Sequence, residues 1–168
     1  MRQLLSAVFL FFFTLQAYAV TETQIKAVFL EKFTHLIEWP KSPDTGDFTI
    51  CVLNNKDFAK ALKRIYVSKQ LHGKDVEIVL LSDNDEIPVC QLLFIGEKTK
   101  NLEKVARGIS GKATLTVCDN KEYIDENIMI TIFLANKRFK YIINNKAALA
   151  ADIKISYLLL KSAQEVIK

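Results

Sequence analysis

The sequence is short of the residues on which most enzyme and metal sites are built. It has two His, three Cys, five Gly, three Pro and one Trp in 168 residues. With only His35 and His72, and with Cys51, Cys90 and Cys118 in no C-x-x-C pair, no zinc-ligand spacing is present. The glycines form no phosphate-cradling loop after a strand-like run and no G-x-S-x-G elbow. There is no block of five like charges and no basic stripe interleaved with aromatics, so nucleic-acid binding is not indicated. No repeat, low-complexity tract or interdomain linker interrupts the chain.

What is present begins with an export signal. Arg2 supplies a positive start, Leu4 to Leu15 is apolar apart from Ser6 and Thr14, and Ala17-Tyr18-Ala19 is a small-x-small cleavage site. The apolar run is too short to span a bilayer, which needs about 20 residues. The pattern predicts a signal peptide over residues 1–19 and one α/β domain over residues 20–168. The mature chain would carry 22 Lys and Arg against 19 Asp and Glu, a net charge of +3. No later segment is long and apolar enough to cross a membrane.

Thr21 to Trp39 predicts a helix, with Ile25, Val28, Phe29, Phe33, Leu36 and Ile37 at three- and four-residue steps and Thr21 or Thr23 as cap. Pro40 is the expected stop, and Lys41 to Asp47 a turn-rich loop. Phe48–Leu53, Lys74–Leu81, Leu92–Ile95 and Ala113–Cys118 read as strands. Helical runs over Asp57–Tyr66 and Asn101–Gly108 separate them. Asp119 with Glu122 fits a capping box at a turn. Ile128–Leu134 and Phe139–Ile143 flank a polar break and predict a hairpin. Asn144 caps an Ala-rich helical segment, and Ser156–Ile167 predicts a last helix. Strand and helix runs in alternation imply a mostly parallel central sheet, an antiparallel hairpin at one edge and helices on both faces, a Rossmann-like three-layer α/β fold.

In open parallel sheets ligands bind at the carboxyl ends of the strands. Here those ends carry Asn54 and Asn55, Ser82 and Asp83, Gly96 with Glu97 and Lys98, and Asp119 with Asn120. They are the candidate ligand-binding residues, although caps and turns need the same residue types. His35 and Glu38, three apart, would share a helix face but lack a third ligand for a metal. His72 lies in a polar loop and is expected to be exposed. No catalytic residue, metal or cofactor is expected. The three Cys of an exported chain allow three single bridges and leave one thiol over.

One ordered set of motifs resembles the YfiR family of periplasmic regulators, over about Ile25 to Ala163. It starts with Lys26-Ala27-x-Phe29-Leu30-x-x-Phe33 and Glu38-Trp39-Pro40. Phe48 to Leu53, Phe58, Cys90-x-x-Leu93-Phe94-Ile95 and Leu115-Thr116-Val117-Cys118-Asp119 follow. It closes with Ile128-Met129-Ile130, Ile143-Asn144 with Ala147-Ala148, and Ile155-Ser156-x-x-Leu159-Leu160. The resemblance implies a non-enzymatic repressor that binds the periplasmic domain of an inner-membrane diguanylate cyclase, lowering cyclic di-GMP and biofilm formation. It also implies a Cys51–Cys90 disulfide, since these two match one of the family's Cys pairs by motif context. Cys118 stands where relatives commonly have Ser, and the second pair has no counterpart here. Position at a strand end predicts that Cys118 is buried. The expected partner is thus a membrane signalling protein, with a small ligand as the rival reading and a homodimer left open. Tyr141 and Tyr157 are of the type interfaces favour.

Overall fold

The computed structural model describes residues 20–40, 46–121 and 127–168. The expected signal peptide, most of the turn-rich loop and Glu122 with its capping role lie outside the described residues. Five helices and nine strands are seen among the described residues.

The chain enters through α1 (Glu22–Thr34). Thr21 caps it by accepting from the Gln24 amide, and Gln24 answers through its side chain, a complete capping box. The helix ends five residues earlier than the periodicity to Trp39 predicts. Ile37–Glu38 is instead a short strand, β1, paired antiparallel with β8 (Lys154–Ile155). Thr34 bonds back to the Glu31 carbonyl, and the Leu36 carbonyl accepts from Ser156 N. Long-range pairing, rather than Pro40, stops the helix. His35 and Glu38 consequently share no helix face.

The main sheet has the order β3-β2-β4-β5-β6-β7-β9. Strands β2 (Phe48–Leu53), β3 (Val76–Leu81), β4 (Leu92–Ile95), β5 (Leu115–Cys118) and β6 (Ile130–Ala135) run parallel. β7 (Arg138–Asn144) turns back along β6 through Asn136 and Lys137, both at positive φ. That is the backbone a two-residue hairpin turn requires. The expected final helix divides into α5 (Tyr157–Ser162) and a strand, β9 (Glu165–Ile167), parallel to β7 outside the hairpin. Ser162 bonds to the Leu158 carbonyl and to the Tyr141 hydroxyl, and Gln164 N donates to Tyr141 O, so the chain leaves the helix for the open edge of β7.

Helices α2 (Lys56–Tyr66) and α3 (Leu102–Ile109) are capped by Asn55 and Asn101, and α4 (Asn145–Ala150) by Asn144. The two faces of the sheet follow from the alternation of side chains along a strand. Ile50 and Val52, Leu92 and Phe94, Leu115 and Val117 join residues of α1, α2, α4 and α5 in the larger core. The opposite set, Cys51, Leu53, Leu93, Ile95 and Cys118, packs on Val105 and Ile109 of α3. Four helices therefore cover one face and α3 the other.

Candidate functional site

After β2 the chain crosses to β3 on one side, then to β4 on the other, so the topological switch point lies between β2 and β4. A ligand crevice is expected at the carboxyl end of this pair. Here it is sewn shut. Gly96 N donates to Leu53 O at 2.9 Å. A Cβ at Gly96 would lie 2.7 Å from the same oxygen and 3.1 Å from Asn55 Cβ, so only glycine fits. Asn54, at φ 55, donates through its side chain to Thr99, and Asn55 is spent on capping α2. Ser82 donates to the Asp85 carboxylate from both its amide and its hydroxyl, which holds Asp85 below its ordinary value. Asp83 accepts from Lys100 N and Lys104 Nζ. The cavity lined by Leu53, Ser82, Asp83 and Asp85 is about 10 Å³, room for one water at most.

Asp119, at the end of β5, is different. Its side chain is 3% exposed and meets Lys26 of α1, itself 12% exposed, at 3.2 Å. Glu22 holds the same ammonium at 2.9 Å. One oxygen of Asp119, Oδ1, is buried with no hydrogen-bond partner among the described residues. Burial pushes the Asp119 carboxyl above its ordinary value, helped by the charge of Glu97 and only partly opposed by Lys26. Burial also works to lower Lys26, but the bonds to Glu22 and Asp119 outweigh it and hold the ammonium charged. Asn120 contributes its carbonyl to the Cys118 thiol, and Glu97 is exposed. Of the expected ligand residues, Asn54 and Asn55 meet at the β2–β4 closure, Ser82 and Asp83 share one small cavity, and Asp119 is joined to a lysine that spacing did not single out.

The open space is at the amino ends of the strands. A cleft of about 500 Å³ is lined by Glu38, Trp39, Pro40, Phe48, His72, Lys74 and Gln91. The Trp39 ring stands edge-on to Phe48 at 5.0 Å and to His72 at 5.5 Å. Its indole N–H donates to Gln91 O at 2.8 Å. His72 is exposed, as its loop suggested, and its Nε2 lies 3.1 Å from the Thr34 carbonyl, so the proton sits on that nitrogen. A second cleft of about 370 Å³ lies between the ends of α3 and α4, along Lys112, Thr114, Met129 and Asp152. His35 does not line either cleft; it is exposed, and its Nε2 lies 3.5 Å from Glu31. No group of three or more His, Cys, Asp or Glu able to hold a metal occurs among the described residues.

The three cysteines are free thiols, all buried in the α3-facing cluster. Cys51 and Cys90 interact with each other, which pulls Cys90 down and, with burial, pushes Cys51 up. Cys118 is fully buried as expected, bonded to Thr131 and Asn120, and burial raises it.

The YfiR/HmsC-like family model matches residues 23–164, most of the chain. The chain belongs to the YfiR/HmsC-like family. The family's ordered motifs therefore fall on structural joints. Lys26 and Asp119 form the buried pair, Glu38-Trp39-Pro40 edges the aromatic cleft, and the Cys90 motif places a thiol against Cys51. No curated protein matches the chain. Among solved structures it is similar to an ABC domain in complex with L-Trp from Streptococcus pneumonia, with TM-score 0.58 and 12% identity. The match covers 86% of this chain and 60% of that one. At that identity the likeness speaks for the α/β fold alone. Among the described residues no helix is long and apolar enough to cross a membrane.

Proposed function

We propose that this protein is an exported periplasmic regulator that acts by binding, not by catalysis. Its target is the periplasmic part of an inner-membrane signalling protein, a diguanylate cyclase, which it holds inactive so that cyclic di-GMP and biofilm formation fall. The family match over residues 23–164 carries this reading. The mechanism is a population shift: the regulator binds the inactive receptor conformation more tightly than the active one. A protein-binding role also suits the apolar surface of the C-terminal segment. Tyr157 is 72% exposed, Leu158 66% and Leu149 57%. Tyr141, the other tyrosine of interest, is buried and bonded to the α5 carbonyl of Leu159. Affinity capture from envelope extracts should recover a membrane cyclase, and deleting the gene should raise cyclic di-GMP. Recovery of no membrane signalling protein, with cyclic di-GMP unchanged, would sink it.

In the oxidising envelope the adjacent Cys51 and Cys90 thiols form a disulfide in this reading, closing a loop of about 40 residues worth roughly 3–4 kcal/mol. Intact mass before and after alkylation tests it, and three alkylatable thiols in the exported, denatured protein would exclude it. The same sample should begin at Val20 if the signal peptide is removed.

A second reading, a small-ligand binding module, is favoured by the 500 Å³ cleft beside Trp39. Ligand-dependent melting shifts in the purified protein would separate it from a purely protein-binding role. A ligand there could also gate release of the partner.

A further inference from the structure

The outer face of α2 has a charge pattern that the fold itself does not use. Lys56, Lys60, Lys63 and Arg64 are all exposed, three and four residues apart, with Asp57 the one acid on the helix. None of the four forms an ion pair among the described residues. Like charges at these spacings repel. Lys63 and Arg64, in the last turn, are favoured by the helix dipole, but Lys56 is the first helical residue, where the dipole favours an acid. The helix cannot turn this face inward, because Phe58, Ala59, Ala61, Leu62 and Tyr66 are held in the core. The face continues past Lys63 into Val67, an apolar residue left 84% exposed.

Beside it, a groove of about 260 Å³ runs between α2 and the start of α1, lined by Thr21, Thr23, Gln24, Asp57, Lys60, Ala61 and Arg64. Thr21, the cap of α1, stands at one end of this groove.

We propose that the α2 face, with the adjoining groove, docks on a membrane surface rich in anionic phospholipid. The phosphate headgroups pair with Lys56, Lys60, Lys63 and Arg64, and the apolar Val67 sits at the headgroup boundary. Exposed aromatics suited to stacking bases are absent from this face, and anionic lipid meets both its cluster of cations and the exposed apolar Val67 at its end. Such docking would confine the protein to the surface on which a membrane partner is displayed, a role separate from recognition of that partner.

Co-sedimentation of the exported protein with vesicles tests this. Vesicles of phosphatidylethanolamine and phosphatidylglycerol should bind it at low salt and release it at high salt, and phosphatidylcholine vesicles should not bind. The triple variant Lys60→Glu/Lys63→Glu/Arg64→Glu should bind about a hundredfold more weakly, each surface cation contributing about fivefold. A variant with the same change in net charge elsewhere, Lys137→Glu/Arg138→Glu/Lys146→Glu, should keep most of the binding, and matched melting curves would show that both fold. Equal losses in the two variants would mean net charge alone, and overturn the assignment to α2. No vesicle binding by the unaltered protein would overturn it outright, as would capture of an acidic protein by this face without any lipid binding.

Discussion

The two ends of the sheet are built in opposite ways. At the carboxyl ends most polar groups expected to meet a ligand are already committed to the fold: Asn55 to a cap, Ser82 to Asp85, Asn54 to Thr99, and one oxygen of Asp119 to Lys26. Gly96 closes the switch point by lying against the Leu53 carbonyl. At the amino ends, Trp39, Phe48 and His72 wall an open cleft, and a second opening separates α3 from α4. Topology says where a crevice can open, but side-chain satisfaction decides whether it does. A polar strand end is a ligand site only if its donors and acceptors are left over after capping and closure.

The strongest way to break this contrast is to unpair the carboxyl end. Lys26→Met keeps the length of the side chain but leaves Asp119 buried with no cation. Removing one partner of a buried pair costs about 3 kcal/mol or more, and chemical denaturation should show a loss of that size at neutral pH. The sign with pH follows from Asp119. Burial already raises its folded pKa, so its protonation favours the folded state. That contribution is full below the ordinary aspartate value, about pH 4, and is lost as pH rises through the raised folded value. Without Lys26 the folded value climbs further. The deficit of Lys26→Met should therefore be small in acid and grow towards neutrality. A deficit independent of pH would mean that Lys26 acts through packing of its stem instead.

At the other end, Trp39→Ala should cost about 2 kcal/mol, less than a fully buried aromatic because one side of the ring faces the cleft. Trp39→Phe should cost about 1 kcal/mol, the indole hydrogen bond to Gln91 O. Trp39 is the one tryptophan of the chain, so its fluorescence reports the cleft without interference. A soluble quencher should reach it in the folded protein. Full protection from quenching would show the amino end to be as closed as the carboxyl end, and the contrast would fail.

Much of this was legible in the sequence, for reasons that differ by element. β2 and β4 fall on the predicted residues, Phe48–Leu53 and Leu92–Ile95, because strands buried on both faces read as unbroken apolar runs. The Asn144 cap of α4 was visible as local chemistry, whereas Asn55 read as a candidate ligand residue and proves to be the cap of α2. The short strands β1, β8 and β9 were not, since two or three residues carry no period and exist only by pairing with distant partners. Of the candidate site, the residues were named but not their state. Spacing cannot say that Asn55 and Ser82 are already bonded. Lys26 was missed as a site residue because Asp119 lies 93 positions away. One signal was there to use: Lys26 shares a stripe with Leu30 and Phe33, both buried. A cation among core positions needs a buried acid.

Loss of a single cap should be a smaller effect. Asn55→Ala removes the acceptor of the Phe58 amide and should cost about 1 kcal/mol, whereas Asn55→Gly should cost a few tenths. Both belong to the carboxyl end, so a ligand effect there is separable from a capping effect. If Asn55 holds a ligand, Ala and Gly should weaken binding equally while differing in stability. If Asn55 only caps, ligand-induced melting shifts should survive both changes.

The finest test of the contrast is Glu97→Gln. Glu97 is exposed, and its charge helps to raise the Asp119 carboxyl. Removing that charge should lower the folded pKa of Asp119 towards its ordinary value, without touching the bond to Lys26. The acid limb of the stability curve should shift, so that the protein gains slightly at neutral pH relative to acid. The gain should be at most about 0.5 kcal/mol, the scale of an exposed charge in solvent, and should shrink with added salt. If Glu97 were instead a ligand contact in an open crevice, the same change would leave the pH profile alone and alter binding. The sign and salt dependence of so small a shift thus distinguish a closed, self-satisfied strand end from one that is merely empty.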